Sequence, residues 1–163
     1  MNIVVLAGGL STERDVSLNT GTMVSKALRS KGHNVIMLDV FMGYHEEEED
    51  ITDIFNHTEE ASADVAQIPG EAPDIAQVKA MRKDQSACFF GPNVIKICQA
   101  ADIVFMALHG ENGENGKIQA AFDLCGIQYT GSRYLGSALA MDKGISKKMF
   151  EAAGIPTPHG IAM

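Results

Sequence analysis

Short apolar runs alternate with amphipathic segments along most of this chain. Runs of this length, rich in β-branched residues, are typical of buried parallel strands. Alternation of strands and helices predicts an α/β fold, a Rossmann-like open parallel sheet with helices on both faces. The predicted strands are NIVVL (2–6), NVIMLDV (34–40), ADIVFMAL (101–108) and IQYTG (127–131).

Predicted helices connect these strands. Proline suits the first position of a helix, so a second helix is predicted to open at Gly91-Pro92 and run to about Ala101. A third covers 117–125 and closes with Gly126. The first helix would end at Gly32, a C′ glycine, and its apolar face would comprise Val16, Met23, Val24, Ala27 and Leu28.

Two segments depart from this alternation. Residues 44–88 hold the acidic run YHEEEED and a polar stretch with two prolines, which indicates an insertion with short helices, such as one near 75–82. Residues 137–163 predict a helix over DKGISKKMFEAAG, then IPTP and the first residues of a further strand. A strand at the chain end has no partner in view, so the sequence is expected to be a piece of a longer protein.

Composition narrows the function classes. A chain of 163 residues predicts one domain and part of a second, and its net charge of −8 argues against nucleic acid or an anionic membrane as the main partner. There is no basic leader and no apolar run near the roughly 18 residues of a membrane span. Three cysteines without a CxxC pair predict free, buried thiols in a reducing cytoplasm, and five histidines without ligand spacing predict no metal site.

Two loops are placed for ligand binding, because ligands of open parallel sheets lie beyond the carboxyl ends of the strands. They are GGLSTERD after the first strand and HGENGENG after the third. Gly8 and Gly9 are adjacent and do not form the G-x-G-x-x-G pattern of dinucleotide sites. Asp39 ends the second strand where a ribose-binding acid would lie, but a carboxylate in the glycine loop would repel pyrophosphate. A nicotinamide oxidoreductase is therefore disfavoured.

Glu13 instead indicates an amine or amino-acid ligand, since a carboxylate can receive an ammonium group. The simpler alternative is that Glu13 and Asp15 are favourable first-turn acids, with Ser11 or Thr12 as the N-cap. Arg14 reads as an ordinary surface charge paired with a neighbour.

His109 has two readings of the same kind: it is either satisfied by local backbone or placed to hydrogen-bond a substrate carboxylate. Lys143 follows Asp142, a candidate N-cap, and reads as solvent-exposed from its position alone.

Five blocks, taken together and in order, resemble the D-alanine–D-alanine ligase family. They fall between residues 5 and 158, and the 44–88 segment carries none. The resemblance implies a three-domain ATP-grasp enzyme. Residues 1–135 would form the N-terminal pre-ATP-grasp domain, and 136–163 the start of the central domain. The blocks are GGLSTERDVSLNTG, ALHGENGENGKIQ, YTGS, SALAMDK and AGIPTP.

The resemblance also implies roles for single residues. Glu13 would hold the ammonium of the first D-alanine, His109 would lie beside that substrate, and Lys143 would reach the ATP phosphates. Glu13 and His109 are thus the implied catalytic residues, and the implied substrate-binding set is Glu13, Val16, Ser17, His109 and Gly110.

The family reaction joins two D-alanines into the peptidoglycan precursor dipeptide. ATP phosphorylates the first carboxylate, and the second amine attacks the acylphosphate. A cytoplasmic homodimer is implied, with Mg²⁺ ligands beyond Met163, so this chain alone is expected to be inactive. The alternative is a non-catalytic dimerisation or amino-acid-binding module of the same fold. The blocks do not choose among D-alanine, D-serine and D-lactate as second substrate.

One residue departs from the family pattern. Asn115 stands where the family commonly has an aspartate in the glycine-acid-glycine step. We expect the change to be tolerated, because a turn depends more on geometry than on charge.

Overall fold

The computed structural model describes residues 1–44, 51, 53–56 and 71–160. Strands and helices alternate through most of these residues, as predicted. The acidic run 45–50 and the end of the chain at 161–163 lie outside the described residues. The elements are β1 Asn2–Ala7, α1 Arg14–Arg29, β2 Asn34–Asp39, α2 Ile75–Met81, α3 Val94–Ala100, β3 Ile103–Met106, α4 Lys117–Cys125, α5 Tyr134–Met141 and α6 Lys143–Ala152.

The sheet of the described residues is parallel and has the order β2-β1-β3. In the central strand, Leu6 lies opposite Leu38 on one side and Met106 on the other. Val4 and Val5, whose side chains point to opposite faces, are both fully buried. The predicted α/β class and the open parallel sheet are confirmed.

Each face of the sheet carries its own core. On one face, Ile3, Val5 and Ala107 pack with partly buried side chains of α1. On the other, residues of β1 and β3 pack with Ile97 of α3 and Phe122 of α4. Helices therefore cover both faces, as the sequence predicted. None of the described helices is long and apolar enough to cross a lipid bilayer.

The predicted fourth strand is wrong in extent. Residues 127–131 reach the sheet through one parallel bridge, between Val104 and Tyr129. On this side of β3 the amide of Val104 is followed by that of Met106, which donates to the hydroxyl of Thr130 at 3.1 Å. A side-chain oxygen has taken the place of a main-chain carbonyl there, so the ladder does not continue.

The predicted buried face of α1 is also wrong in part. Met23 is 52% exposed, whereas Ser17, Gly21 and Ser25, at intervals of four, are buried. A Cβ on Gly21 would lie 2.8 Å from Cβ of Ala7. Small residues let α1 approach β1 closely, and apolar periodicity could not reveal a face made of small residues.

Helix ends follow the predictions unevenly. Asp142 caps α6 by accepting from the amide of Ile145 at 2.9 Å, as predicted, and Gly126 closes α4 in the left-handed region. Gly32 likewise closes α1 as predicted: its φ is +81°, and the amides of Gly32 and His33 donate to the carbonyls of Arg29 and Leu28 at 2.9 and 3.4 Å, the pattern of a Schellman motif. Pro92 is not the first residue of α3; it lies in a turn, where its carbonyl accepts from Tyr44 at 2.9 Å.

The short helix predicted near 75–82 is confirmed as α2, whereas α5 was not predicted as a separate helix.

The three thiols are free, as predicted, but the prediction that all three are buried is only partly confirmed. Cys98 is buried, and burial raises its pKa to about 12. Cys125 is partly buried, whereas Cys88 is exposed, contrary to the prediction.

Two substitutions within α4 test where the core lies. Phe122 is fully buried, whereas Leu124 is 90% exposed. Phe122→Ala should lower the free energy of unfolding by about 3–5 kcal/mol, through lost transfer free energy and the cavity left behind. Leu124→Ala should change it by less than about 0.5 kcal/mol. Urea denaturation followed by circular dichroism measures both, and equal losses would contradict this placement of the core.

Candidate functional site

Two loops meet at the carboxyl ends of β1 and β3. Ser11 is buried, and its hydroxyl donates to the carbonyl of His109 at 2.8 Å while accepting from the amide of Glu13 at 3.2 Å. Ser11 therefore links the two loops. It is not the N-cap of α1, although it was one of the two predicted candidates for that position. Thr12 is not the cap either, because Glu13 occupies the N-cap position.

Glu13 has a carboxylate that makes no capping hydrogen bond. Its Oε2 atom would lie 2.8 Å from a Cβ built on Gly110. Gly110 has φ +74°, in the left-handed region that favours glycine, so both its backbone and its neighbour require the absence of a side chain. The structure thus brings together Glu13 and the turn that follows His109, two places that are far apart in the sequence.

His109 is partly buried, and its ring contacts α1. Its Nε2 atom lies 3.1 Å from the hydroxyl oxygen of Thr20. The same hydroxyl donates to the carbonyl of Val16, one helical turn earlier, at 2.9 Å. Sequence reasoning missed Thr20, because nothing in the chain order connects it to His109.

The side chain of Ser17 links the strand ends beneath these loops. Its side chain is fully buried, donates to the carbonyl of Ala107 at 2.8 Å and accepts from the amide of Gly8 at 2.9 Å. Both hydrogen bonds are internal, so this hydroxyl joins the ends of β1 and β3. Its implied role in substrate binding stays a prediction, and the geometry favours a supporting part.

Arg14 forms a largely buried ion pair with Asp39, at 2.5 Å between Nη2 and Oδ2. The two side chains are only 11% and 15% exposed, and Arg14 also donates to the carbonyl of Gly9 at 2.9 Å. The reading of Arg14 as an ordinary surface charge is wrong. It lies against the glycine loop, because the close approach of β1 and β2 places Asp39 beside that loop.

Asp39 is also committed to its own turn. Its Oδ1 atom accepts from the amides of Phe41 at 2.9 Å and Met42 at 3.0 Å. A Cβ on Gly8 would collide with this carboxylate. The position that imitated a ribose-binding acid thus serves the ion pair and a tight turn, which further disfavours a dinucleotide site.

Lys143 lies in a different place from Glu13 and His109. It is exposed and lines a cleft of about 420 Å³ that neither of the other two side chains lines. The loop after β3 contributes to both places, through Gly110 to the first and through Gly113 to the second. Polar residues that line this cleft with Lys143 are Glu114, Gln119, Thr130, Ser132 and Ser137.

Asn115 performs a local structural task in that loop. Its side-chain oxygen accepts from the amide of Lys117, the first residue of α4, at 3.2 Å. An amide oxygen can make this bond as a carboxylate oxygen does, which agrees with the expectation that asparagine is tolerated here.

The chain matches a known family over most of its length. The family described as "D-ala D-ala ligase N-terminus" matches residues 2–132. A D-alanine–D-alanine ligase of Lacticaseibacillus casei is 45% identical over 160 residues, and one of Pediococcus pentosaceus is 47% identical over 158. Each alignment covers 96% of this chain but only 43% and 44% of the relative. The chain therefore spans less than half the length of these relatives.

Solved structures give the same grouping. A D-alanine–D-alanine ligase from Bacillus anthracis, complexed with ATP, has a TM-score of 0.58 and 26% identity, and the match covers 98% of this chain and 39% of that one. The enzyme from Aeromonas hydrophila has a TM-score of 0.60 at 20% identity, over 99% and 50% of the two chains, and supports the fold alone.

Removal of one cation tests the largely buried ion pair. Arg14→Met should lower the free energy of unfolding by about 1–3 kcal/mol, because Asp39 keeps its charge and loses its partner. Lys117→Met is the matched control: Lys117 pairs with Glu111 at 3.6 Å with both side chains about two-thirds exposed, so its loss should stay below about 1 kcal/mol. Urea titrations of both variants measure this, and similar values would mean that the Arg14 pair is screened like a surface pair.

Proposed function

Because this chain belongs to the D-alanine–D-alanine ligase N-terminus family, we propose that it forms the amino-acid-binding part of an ATP-dependent ligase that joins two D-alanines. The dipeptide would be a peptidoglycan precursor. One observation carries the proposal: the carboxylate of Glu13, unused in capping, lies against Gly110 where the two loops meet. A carboxylate held there by the fold is suited to the ammonium of an amino acid.

The proposed reaction has two steps, and this part of the protein contributes positioning. A carboxylate oxygen of the first D-alanine attacks the γ-phosphorus of ATP and ADP leaves; the amine of the second then attacks the acyl carbon and phosphate leaves. Glu13 would hold the first ammonium, and His109 would contact the same substrate. Holding the ammonium fixes the direction of the carboxylate, which lowers the entropic part of the barrier. A carboxylate at the ammonium end also stays away from the phosphoryl group.

Lys143 is proposed to contact the ATP phosphates. Its ammonium is exposed in a cleft that also holds the hydroxyl groups of Ser132 and Ser137, and a flexible ammonium can follow a phosphate through its transfer. ATP appears as the bound ligand of the Bacillus anthracis relative. Mg²⁺ would neutralise phosphate charge when bound. Its ligands are proposed to belong to the part of the relatives that this chain does not match.

The division of the chain at about residue 135 is likewise a proposal. Residues 1–135 would form the N-terminal domain and 136–163 the start of the central one. The family match supports this, because it ends at residue 132, just before α5 begins at Tyr134.

The proposed amino-acid site is tested by binding D-alanine to this chain. Glu13→Gln should weaken binding by roughly 10- to 100-fold, since it removes a charge-assisted hydrogen bond worth about 1.5–3 kcal/mol. Glu111→Gln, at an exposed carboxylate of the same charge, should leave binding unchanged. Isothermal titration calorimetry measures both. Propionate, which lacks the amine, should bind neither variant nor the parent chain, and binding of propionate equal to that of D-alanine would refute an ammonium site.

A homodimer through this domain is proposed on the family resemblance. Sedimentation equilibrium of the chain should then give a mass near twice the 17.5 kDa of one copy. A monomer at every concentration up to the millimolar range would count against pairing through these residues.

A further inference from the structure

The contact between His109 and Thr20 indicates whether the Nε2 atom of His109 carries a proton. The hydroxyl of Thr20 carries one hydrogen and can also accept. It lies 2.9 Å from the carbonyl of Val16, which can only accept, and 3.1 Å from Nε2 of His109. A carbonyl offers no hydrogen, so that contact is a hydrogen bond only if Thr20 donates to it.

Only one direction of the two hydrogen bonds satisfies both contacts. If the hydroxyl donates to Val16, its oxygen must accept from Nε2–H of His109. If the hydroxyl donates to Nε2 instead, the bond to Val16 is not made. A neutral imidazole carries one ring proton, so a proton on Nε2 leaves Nδ1 as an acceptor.

The ring is anchored from its backbone as well. The carbonyl of His109 accepts from the buried Ser11 hydroxyl at 2.8 Å, so the residue is held to the first loop by its main chain and to α1 by its ring. A half-turn of the ring about the Cβ–Cγ bond would replace Nε2 by the carbon Cε1 and break the bond to Thr20. The side chain is therefore held in one orientation.

We propose that Thr20 is a positioning residue that holds neutral His109 as the Nε2–H tautomer, so that Nδ1 accepts a hydrogen bond from the ammonium of the bound amino acid. The proton on Nε2 stands on the geometry alone, whereas the identity of the ligand rests on the proposed function. One of the two readings of the sequence placed His109 at a substrate carboxylate, which requires a ring donor. The neutral ring in this tautomer offers an acceptor, so Glu13 and His109 serve the same end of the substrate.

Nitrogen-15 NMR of the histidine rings tests the tautomer on this chain without any ligand. Spectra recorded at pH about 8, where an ordinary imidazole is neutral, distinguish a protonated ring nitrogen from a bare one, and His109→Gln identifies the signal of His109. We expect Nε2–H in the parent chain and in Thr20→Ser, which keeps the hydroxyl. In Thr20→Val we expect a mixture of tautomers or Nδ1–H.

Thr22 provides a matched control within the same helix. Its hydroxyl donates to the carbonyl of Leu18 at 2.9 Å, one turn earlier, as Thr20 does to Val16. Thr22→Val should therefore leave the His109 tautomer unchanged. An Nδ1–H tautomer in the parent chain would overturn the proposal. Persistence of pure Nε2–H in Thr20→Val would overturn the part assigned to Thr20.

Addition of D-alanine tests the ammonium contact separately. The Nδ1 signal of His109 should move with D-alanine and stay in place with propionate. Movement with propionate, or none at a D-alanine concentration that calorimetry shows to be saturating, would overturn the ammonium assignment. Absence of D-alanine binding in calorimetry would overturn both this assignment and the proposed function, while the ligand-free spectra would still decide the tautomer.

Discussion

The arrangement of both loops depends on one buried hydroxyl. Ser17 joins the amide of Gly8 to the carbonyl of Ala107, and so links the ends of β1 and β3 through the first turn of α1. Buried main-chain groups at strand ends need partners, and a fully buried serine supplies both a donor and an acceptor. Since α1 begins one turn earlier, the same contacts set where Glu13 lies relative to Gly110.

The positive charge of Arg14 is directed away from the neighbouring carboxylate of Glu13. Arg14 is adjacent to Glu13 in the chain, yet its guanidinium is committed to Asp39 and the carbonyl of Gly9. A committed cation does not neutralise its neighbour, so Arg14 does not compete with the ammonium that Glu13 is proposed to bind. The largely buried pair also ties the glycine loop to the end of β2. One ion pair thus ties down the loop and keeps the guanidinium of Arg14 directed at Asp39.

The resemblance to the ligase family, read from five sequence blocks, is confirmed by the match over residues 2–132. Three local readings failed for a shared reason. Met23 was assigned to the buried face, Pro92 to the start of a helix and residues 127–131 to a full strand. In each case a close contact decided otherwise: Gly21 against Ala7, Pro92 against Tyr44 and Thr130 against Met106. Apolar periodicity records which residues avoid water and carries no information about such packing.

The sequence by itself determined the parallel α/β class, the two loops at the strand ends and the candidate residues Glu13 and His109, because strand and turn preferences are local properties of the chain. Only the tertiary structure decided what those residues contact. It paired Arg14 with Asp39, placed Thr20 against His109 and set Lys143 in a separate cleft. These are contacts between residues up to 89 positions apart. They depend on how closely α1 packs on the sheet. Small buried residues allow that close packing, and a local sequence pattern does not predict it.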